Sequence, residues 1–191
     1  MTTFTIFGKG NMGSAIGSLI SASGASVDHI DTSSTAATVT GDIVILAVPY
    51  PALQDIAAQY GEQLVGKVVV DITNPLDFST FNSLVVPSDA SAASELAALL
   101  PSSTVLKAFN TTFAATLSSR SVGSNQTTVL IAGDDTHAKE TLASAIKAGG
   151  VGAVDAGALV RARELEAIGF LQLTLAASEK IQWSNGFALV R

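Results

Sequence analysis

Near the amino terminus a short β-type run, Thr3-Phe4-Thr5-Ile6-Phe7, stops at Gly8-Lys9-Gly10-Asn11-Met12-Gly13. Three glycines at that spacing constrain the chain more than any other feature. A strand that feeds straight into a helix needs a turn that side chains obstruct, so Gly8 reads as the residue that permits it. Gly10 leaves the backbone bare where a pyrophosphate approaches, and Gly13 lets helix and strand pack closely. Met12, Ala15, Ile16, Leu19 and Ile20 then recur at helical spacing on one face, and Gly24 is placed to end the helix. The amides of residues 9–12 stand at that helix's amino terminus, where unsatisfied N–H groups and the helix dipole favour phosphate oxygens. Strand, glycine turn, amphipathic helix and second strand in this order point to a dinucleotide-binding unit. Gly8, Lys9, Gly10, Asn11 and Met12 are its expected phosphate-side contacts.

Further along, apolar runs of strand length occur at 27–30, 43–47, 68–72, 105–108 and 128–131, with a last one around Val154. Several are unbroken Val/Ile/Leu runs, the pattern of parallel strands covered on both faces. Helical periods occupy 11–23, 51–60, 90–100 and 136–148. This alternation predicts an α/β fold: a doubly wound Rossmann-type parallel sheet with a short C-terminal helical segment. One link departs from the pattern. Residues 31–41 are rich in Ser and Thr, carry no apolar period, and are too short for a crossover with its helix, which takes about 10–12 residues or more. The second crossover is therefore expected to be trimmed. A final helix is expected from 158 to about 181, and its apolar positions Leu165, Ala167, Ile168, Phe170, Leu171, Leu173 and Leu175 run around it. A helix apolar on several sides is buried on several sides, so a second copy of the chain is expected to cover one of them. Residues 1–155 read as the dinucleotide-binding domain and 156–191 as a helical segment that carries a homodimer contact.

Composition removes whole classes of chemistry. Among 191 residues there is no cysteine, which excludes disulfides, zinc-thiolate sites, iron–sulfur clusters and a thiol nucleophile. With no apolar run of membrane-spanning length, and no basic region or cleavage site at the amino terminus, a cytoplasmic protein without membrane attachment is expected. Ten basic residues scattered singly in a chain of net charge −6 offer no track for nucleic acid. No Ser-His-Asp set, carboxylate pair or metal-ligand spacing appears, so no catalytic residue and no metal site is assigned. His29 falls within the second strand and His137 at a helix start.

The remaining candidates lie where strands end. Asp31, near the end of the second strand, is placed to bond an adenine ribose 2′-hydroxyl, as in NAD sites. Thr32, Ser33 and Ser34 follow with hydroxyls suited to a 2′-phosphate, so residues alone leave NADP and NAD open. Ala47-Val48-Pro49 and Asn74-Pro75 follow two later strands on the edge where ligands of such sheets sit. Pro75 biases Asn74 away from helical geometry, presenting backbone to a nicotinamide ribose and carboxamide. Phe109 and Asn110 end another strand on the same edge, where Asn110 reads equally as a turn residue. Lys107 reads equally as an ordinary strand-end charge. Trp183 and Phe187 are further candidate ring neighbours or a packed terminus.

Gly8-Lys9-Gly10-Asn11-Met12-Gly13, Ile45-Leu46-Ala47-Val48-Pro49, Asp71-Ile72-Thr73-Asn74-Pro75-Leu76, Val105-Leu106-Lys107-Ala108-Phe109-Asn110-Thr111, Ala132-Gly133-Asp134-Asp135 and Asp155-Ala156-Gly157-Ala158-Leu159 with Arg163 and Leu165-Glu166 occur in order along nearly the whole chain. As a set they resemble the NADP oxidoreductases related to coenzyme F420-dependent NADP reductase. The resemblance implies an NADP-binding Rossmann domain, usually dimeric, that passes hydride between nicotinamide and a second redox carrier, a small molecule of flavin or deazaflavin type. Two features depart from the family: the arginine often found after the second strand is replaced by Asp31-Thr32-Ser33-Ser34, and no basic cradle is visible for an acidic carrier tail. An NAD(P)-dependent reductase of a small carbonyl or imine, or a dinucleotide-binding sensor without turnover, are the alternative readings.

Overall fold

In this computed structural model, which describes residues 2–31 and 37–190, alternation of side chains along the strands decides the layering. The chain forms β1 (Thr3–Phe7), α1 (Asn11–Ala22), β2 (Ser26–Ile30), β3 (Ile43–Leu46), α2 (Ala52–Leu64), β4 (Val68–Asp71), α3 (Ala92–Leu99) and β5 (Thr104–Ala108). Then follow α4 (Ala114–Ser119), a small hairpin of β6 (Ser121–Val122) and β7 (Asn125–Gln126), β8 (Thr128–Gly133), α5 (Thr136–Ala148), β9 (Gly152–Gly157), a 3₁₀ turn (Leu159–Arg161) and α6 (Ala162–Ala177). Phe4, Ile6, Ile43, Ile45, Val70 and Leu106 turn to one face, where Ile16, Leu19 and Ile20 of α1 and Leu142 and Ile146 of α5 cover them. Phe7, Val44, Leu46, Val69 and Val105 turn to the other, against Leu53, Ile56 and Leu64 of α2 and Leu96 of α3. Two cores, one on each face, explain the unbroken apolar runs. Each fully buried Ile or Leu contributes about 1.5–3 kcal/mol.

The sheet has seven strands in the order β2-β1-β3-β4-β5-β8-β9. β1 to β5 are mutually parallel. The expected parallel arrangement has one exception at β8, which runs antiparallel to β5 and carries β9 parallel to itself. The physical reason lies in the connection. After β5 the chain makes no covering crossover helix but turns back through the short α4 and the hairpin, and antiparallel neighbours need no crossover. Gly133 makes room at the pairing, since a Cβ there would stand 2.2 Å from Leu106 Cδ2.

Between β2 and β3 the described residues contain no helix, and β3 returns directly to the other side of β1. Strand order thus reverses at β1, which opens a crevice beyond the carboxyl ends of β1 and β3. Thr32, Ser33 and Ser34 lie outside the described residues. α6 is shorter at both ends than the span 158–181. Within the chain it buries Leu165, Gly169 and Ala176 together with the polar Glu166 and Gln172, while Ile168 and Leu171 face outward. No described helix is long and apolar enough to cross a membrane.

The glycine turn makes two opposite demands. A Cβ on Gly13 would lie 2.4 Å from the Gly8 carbonyl oxygen, whereas one on Gly10 meets nothing within 4 Å. Gly13→Val is expected to cost about 3 kcal/mol or more, and Gly10→Ala less than about 0.5 kcal/mol. Urea unfolding midpoints check this, and equal midpoints for the two variants would contradict it.

Candidate functional site

At the end of β1 the chain bends at Gly8, whose φ of +100° suits glycine. A Cβ there would strike the Ala47 carbonyl oxygen at 2.3 Å, so the β1 and β3 ends meet backbone to backbone. The Gly8 N–H donates to the Ile30 carbonyl (3.0 Å), and His29 Nδ1 lies 3.2 Å from the Gly8 oxygen. His29 is itself seated against Gly17 of α1, where a Cβ would come within 2.6 Å of Nε2. This histidine braces the turn. Gly10 is the N-cap of α1 without a side-chain cap, which leaves the helix's first amides open beside a bare backbone.

From this point a cavity of about 770 Å³ runs along the carboxyl ends of β1, β3, β4 and β5. Gly10, Asn11, Met12, Ala47, Val48, Pro49, Asn74, Phe109 and Asn110 line it, with Thr73, Tyr50, Phe78, Phe113, Leu173 and Trp183. Four sequence candidates stand outside the lining. Gly8 lies beneath the turn, Lys9 is exposed, Asp31 is exposed at the end of β2, and Pro75 is buried behind the wall, its carbonyl accepting from Val85 N–H at 2.7 Å. Phe187 belongs to the chain's tail, where its N–H donates to Gln172 Oε1 (2.8 Å).

Asn74 and Asn110 hold each other. Asn74 Nδ2 donates to the Asn110 carbonyl (2.8 Å), and Asn110 Nδ2 donates to Asn74 Oδ1 (2.9 Å) and the Leu165 carbonyl (2.8 Å). α6 approaches them closely because Gly169 has no side chain: a Cβ there would sit 2.2 Å from Asn74 Oδ1. Phe109 is fully buried at φ +63°, an uncommon backbone for an aromatic residue that costs about 1–3 kcal/mol. Its carbonyl is held by the N–H (3.0 Å) and Oγ1 (2.7 Å) of Thr112. Two buried acceptor atoms among these residues, Thr73 Oγ1 and Asn110 Oδ1, have no partner. Buried polar atoms are nearly always satisfied, so this pair suits the polar edge of a bound molecule.

Sequence reasoning missed the charges under the floor. Lys107 is not a strand-end surface charge: its Nζ is fully buried and lies 2.8 Å from Asp71 Oδ2 and 2.8 Å from Glu166 Oε1, and donates to the Thr73 carbonyl at 2.5 Å. Asp71 and Lys107 are cross-strand partners on β4 and β5. Glu166, from α6, accepts from the N–H groups of Ala92 (3.0 Å) and Ala93 (3.4 Å), the first amides of α3. Burial pushes the Glu166 carboxyl above the ordinary glutamate range, although Lys107 and these amides pull it down. The available signal was alternation, which turns the last residue of Val68-Val69-Val70-Asp71 and Lys107 to the same sheet face. Tyr50, the only ionisable side chain among the described lining residues, donates to Glu95 Oε2 at 2.5 Å and is pushed up to about 12 by burial and by that carboxylate.

Residues 27–75 match the family model described as NADP oxidoreductase, coenzyme F420-dependent. The chain is 34% identical over 132 residues to the F420-dependent NADP reductase of Methanocaldococcus jannaschii, covering 67% of this chain and 59% of that protein. It is 39% identical over 107 residues to the rat metalloreductase STEAP3, covering 56% of this chain and 21% of that protein. The chain thus spans less than two thirds of either curated relative. A solved structure from Arthrobacter sp. FB24, described as a candidate F420-dependent NADP reductase, shares the fold over 100% of both chains with TM-score 0.86 and 22% identity.

Removing the ammonium leaves two carboxylates buried together. Lys107→Met is expected to lower unfolding free energy by about 3–5 kcal/mol. Glu166 is a carboxyl with a raised folded pKa, so the folded state binds its proton more readily than the unfolded state. Its contribution to stability is present in acid and is lost as pH rises through the folded value. Stability of Glu166→Gln relative to the parent chain should therefore increase from about pH 4 to pH 7. Denaturant titrations across that range check the sign, and a relative stability that falls with pH would contradict it.

Proposed function

We propose that the chain, which resembles the F420-dependent NADP oxidoreductases, transfers hydride between NADP(H) and a second redox carrier of flavin or deazaflavin type. The observation that carries this reading is the cavity itself. It starts at open helix amides beside a bare Gly10, passes the two orphaned acceptors, and reaches Phe109, Phe113 and Trp183 without a charged side chain among its described lining. Hydride exchange between two rings asks a protein for position and dryness rather than for an acid or base.

The residues present suit such a dinucleotide. The amides at Lys9, Gly10, Asn11 and Met12 receive the pyrophosphate on the positive end of α1. We assign Asp31, Thr32, Ser33 and Ser34 to the adenosine ribose; the resemblance favours NADP there, and NAD is the second choice. Ala47, Val48 and Pro49 flank the middle of the cofactor, and Gly8 holds the turn that places them. The strand end Asn74-Pro75 and the amide of Asn110 meet the nicotinamide side, and Phe109 bounds it from below. When bound, the reduced nicotinamide supplies a hydride to the acceptor ring, which takes its remaining proton from solvent. In this reading residues 1–155 form the dinucleotide-binding domain and 156–191 the helical segment.

We assign a homodimer contact to the outward face of α6, supported by Ile168 and Leu171, which are 36% and 52% exposed. Light scattering should report a dimer that the pair Ile168→Glu and Leu171→Glu converts to a monomer; a monomeric parent chain would contradict the assignment.

The purified chain is to be mixed with NADPH or NADH and, in turn, with flavin, deazaflavin, quinone and ferric acceptors while the reduced nicotinamide absorbance is followed. Oxidation dependent on a ring carrier, faster with NADPH, is expected. Oxidation only with a carbonyl or imine would replace this reading, and tight binding without any turnover would make the chain a sensor. Gly10→Phe should weaken dinucleotide binding by about a hundredfold or more while the circular dichroism spectrum stays unchanged.

A further inference from the structure

Two large aromatic rings line the cavity from unrelated segments and remain more than half exposed: Phe78, after β4, at 57%, and Trp183, after α6, at 51%. Exposed rings gathered in a concave site mark a place that something apolar covers. Neither ring is on a loose strand of chain. Asp77 closes a tight turn around Phe78, its Oδ1 accepting from the Ser79 N–H (2.8 Å) and hydroxyl (2.6 Å) and its Oδ2 from the Thr80 hydroxyl (2.8 Å). Phe81 packs edge-on against Phe78 with centroids 5.7 Å apart. Trp183 lies tilted on Phe113, centroids 5.1 Å apart. Its segment is fastened by the buried Gln172, which donates to the Thr111 carbonyl (3.2 Å) and accepts the Phe187 N–H (2.8 Å).

Charge is distributed unevenly along the cavity. The glycine-turn end offers backbone amides to an anion. Among the described lining residues the aromatic end carries no cationic side chain for a phosphate or carboxylate, and the nearby ammonium of Lys107 is spent beneath the floor on Asp71 and Glu166.

We infer that Phe78, Phe113 and Trp183 form the seat of the hydride acceptor, and that this seat selects an uncharged planar redox ring by stacking rather than a carrier gripped by an anionic tail. The inference rests on the proposed function and adds the acceptor's chemical class and the residues that choose it. Aromatic faces stack on planar rings of many kinds, so the ring is recognised and any tail is left in solvent.

Trp183 is the single tryptophan of the chain, so its emission reports the seat directly. Lumiflavin, which has no tail, and FMN, which carries a phosphate, are titrated separately without dinucleotide. Saturable quenching by lumiflavin, with FMN binding within about threefold of it, is expected. In turnover, Trp183→Ala should raise the acceptor KM about tenfold with kcat little changed, and Trp183→Phe should restore most of the loss. NADPH affinity, read from nicotinamide emission, should be the same in all three proteins. Absence of saturable quenching, FMN binding more than about tenfold tighter than lumiflavin, or an unchanged acceptor KM in Trp183→Ala would each overturn the inference. Loss of NADPH binding by the parent chain would instead sink the proposed function, because the lumiflavin titration is read independently of it.

Discussion

A single buried ammonium organises this molecule. Lys107 gives up water entirely, and an isolated charge in that position would cost several kcal/mol, so the fold supplies two carboxylates and a carbonyl around it. Each partner comes from a different element: Asp71 from β4, Glu166 from α6, and the Thr73 carbonyl from the chain leaving β4. The excess negative charge is met in turn by the amides that open α3. Satisfying one charge therefore fixes how α3 and α6 lie against the sheet. It also pins the segment that leads to Asn74, and Gly169 then brings α6 down onto the Asn74–Asn110 pair.

Charge and chemistry are thereby kept on separate floors. Below the strand ends, full charges face one another at hydrogen-bond distance in a dry interior. Above them, the cavity wall is built from backbone, amides, hydroxyls and rings, and Tyr50 keeps its proton well into the alkaline range because Glu95 and burial hold it. At the α1 terminus the attraction for an anion comes from helix amides rather than from a side chain. The dinucleotide proposed at one end and the ring proposed at the other would both rest on this wall without touching the buried charges.

What the sequence makes legible follows from how locally each feature is encoded. The glycine turn is complete within residues 8–13, and each glycine's part in it follows from where a side chain cannot go; the geometry at Gly8, Gly10 and Gly13 follows the same division. The strand-end candidates were legible because a doubly wound sheet presents them all on one edge, and the short 31–41 link announced a crossover with no helix among its described residues. The direction of β8 was not legible, since period and composition are the same for a strand run either way and only the path through α4 and the hairpin decides. The Lys107 network was hidden for another reason: Asp71 and Lys107 are 36 positions apart and meet through sheet register, and Glu166 joins them through the docking of α6. At α6 small and polar residues are buried and two apolar ones are not, because the side turned toward the sheet is the one that brings Glu166 to the ammonium beneath it.

The order of the sheet carries one more consequence. Its open borders are β2 and β9, and each bears an exposed aspartate, Asp28 on the first and Asp155 on the second. A carboxylate on a border strand discourages another strand from pairing there, because stacking like edges sets equal charges close together in a lengthening ribbon. Asp28 presents its carboxylate to solvent, whereas Asp155 is held by Lys139 Nζ at 2.8 Å, so the second border carries an ion pair. A sheet this rich in β-branched residues thus has a charged group on each open margin, the kind of side chain that discourages edge-to-edge pairing.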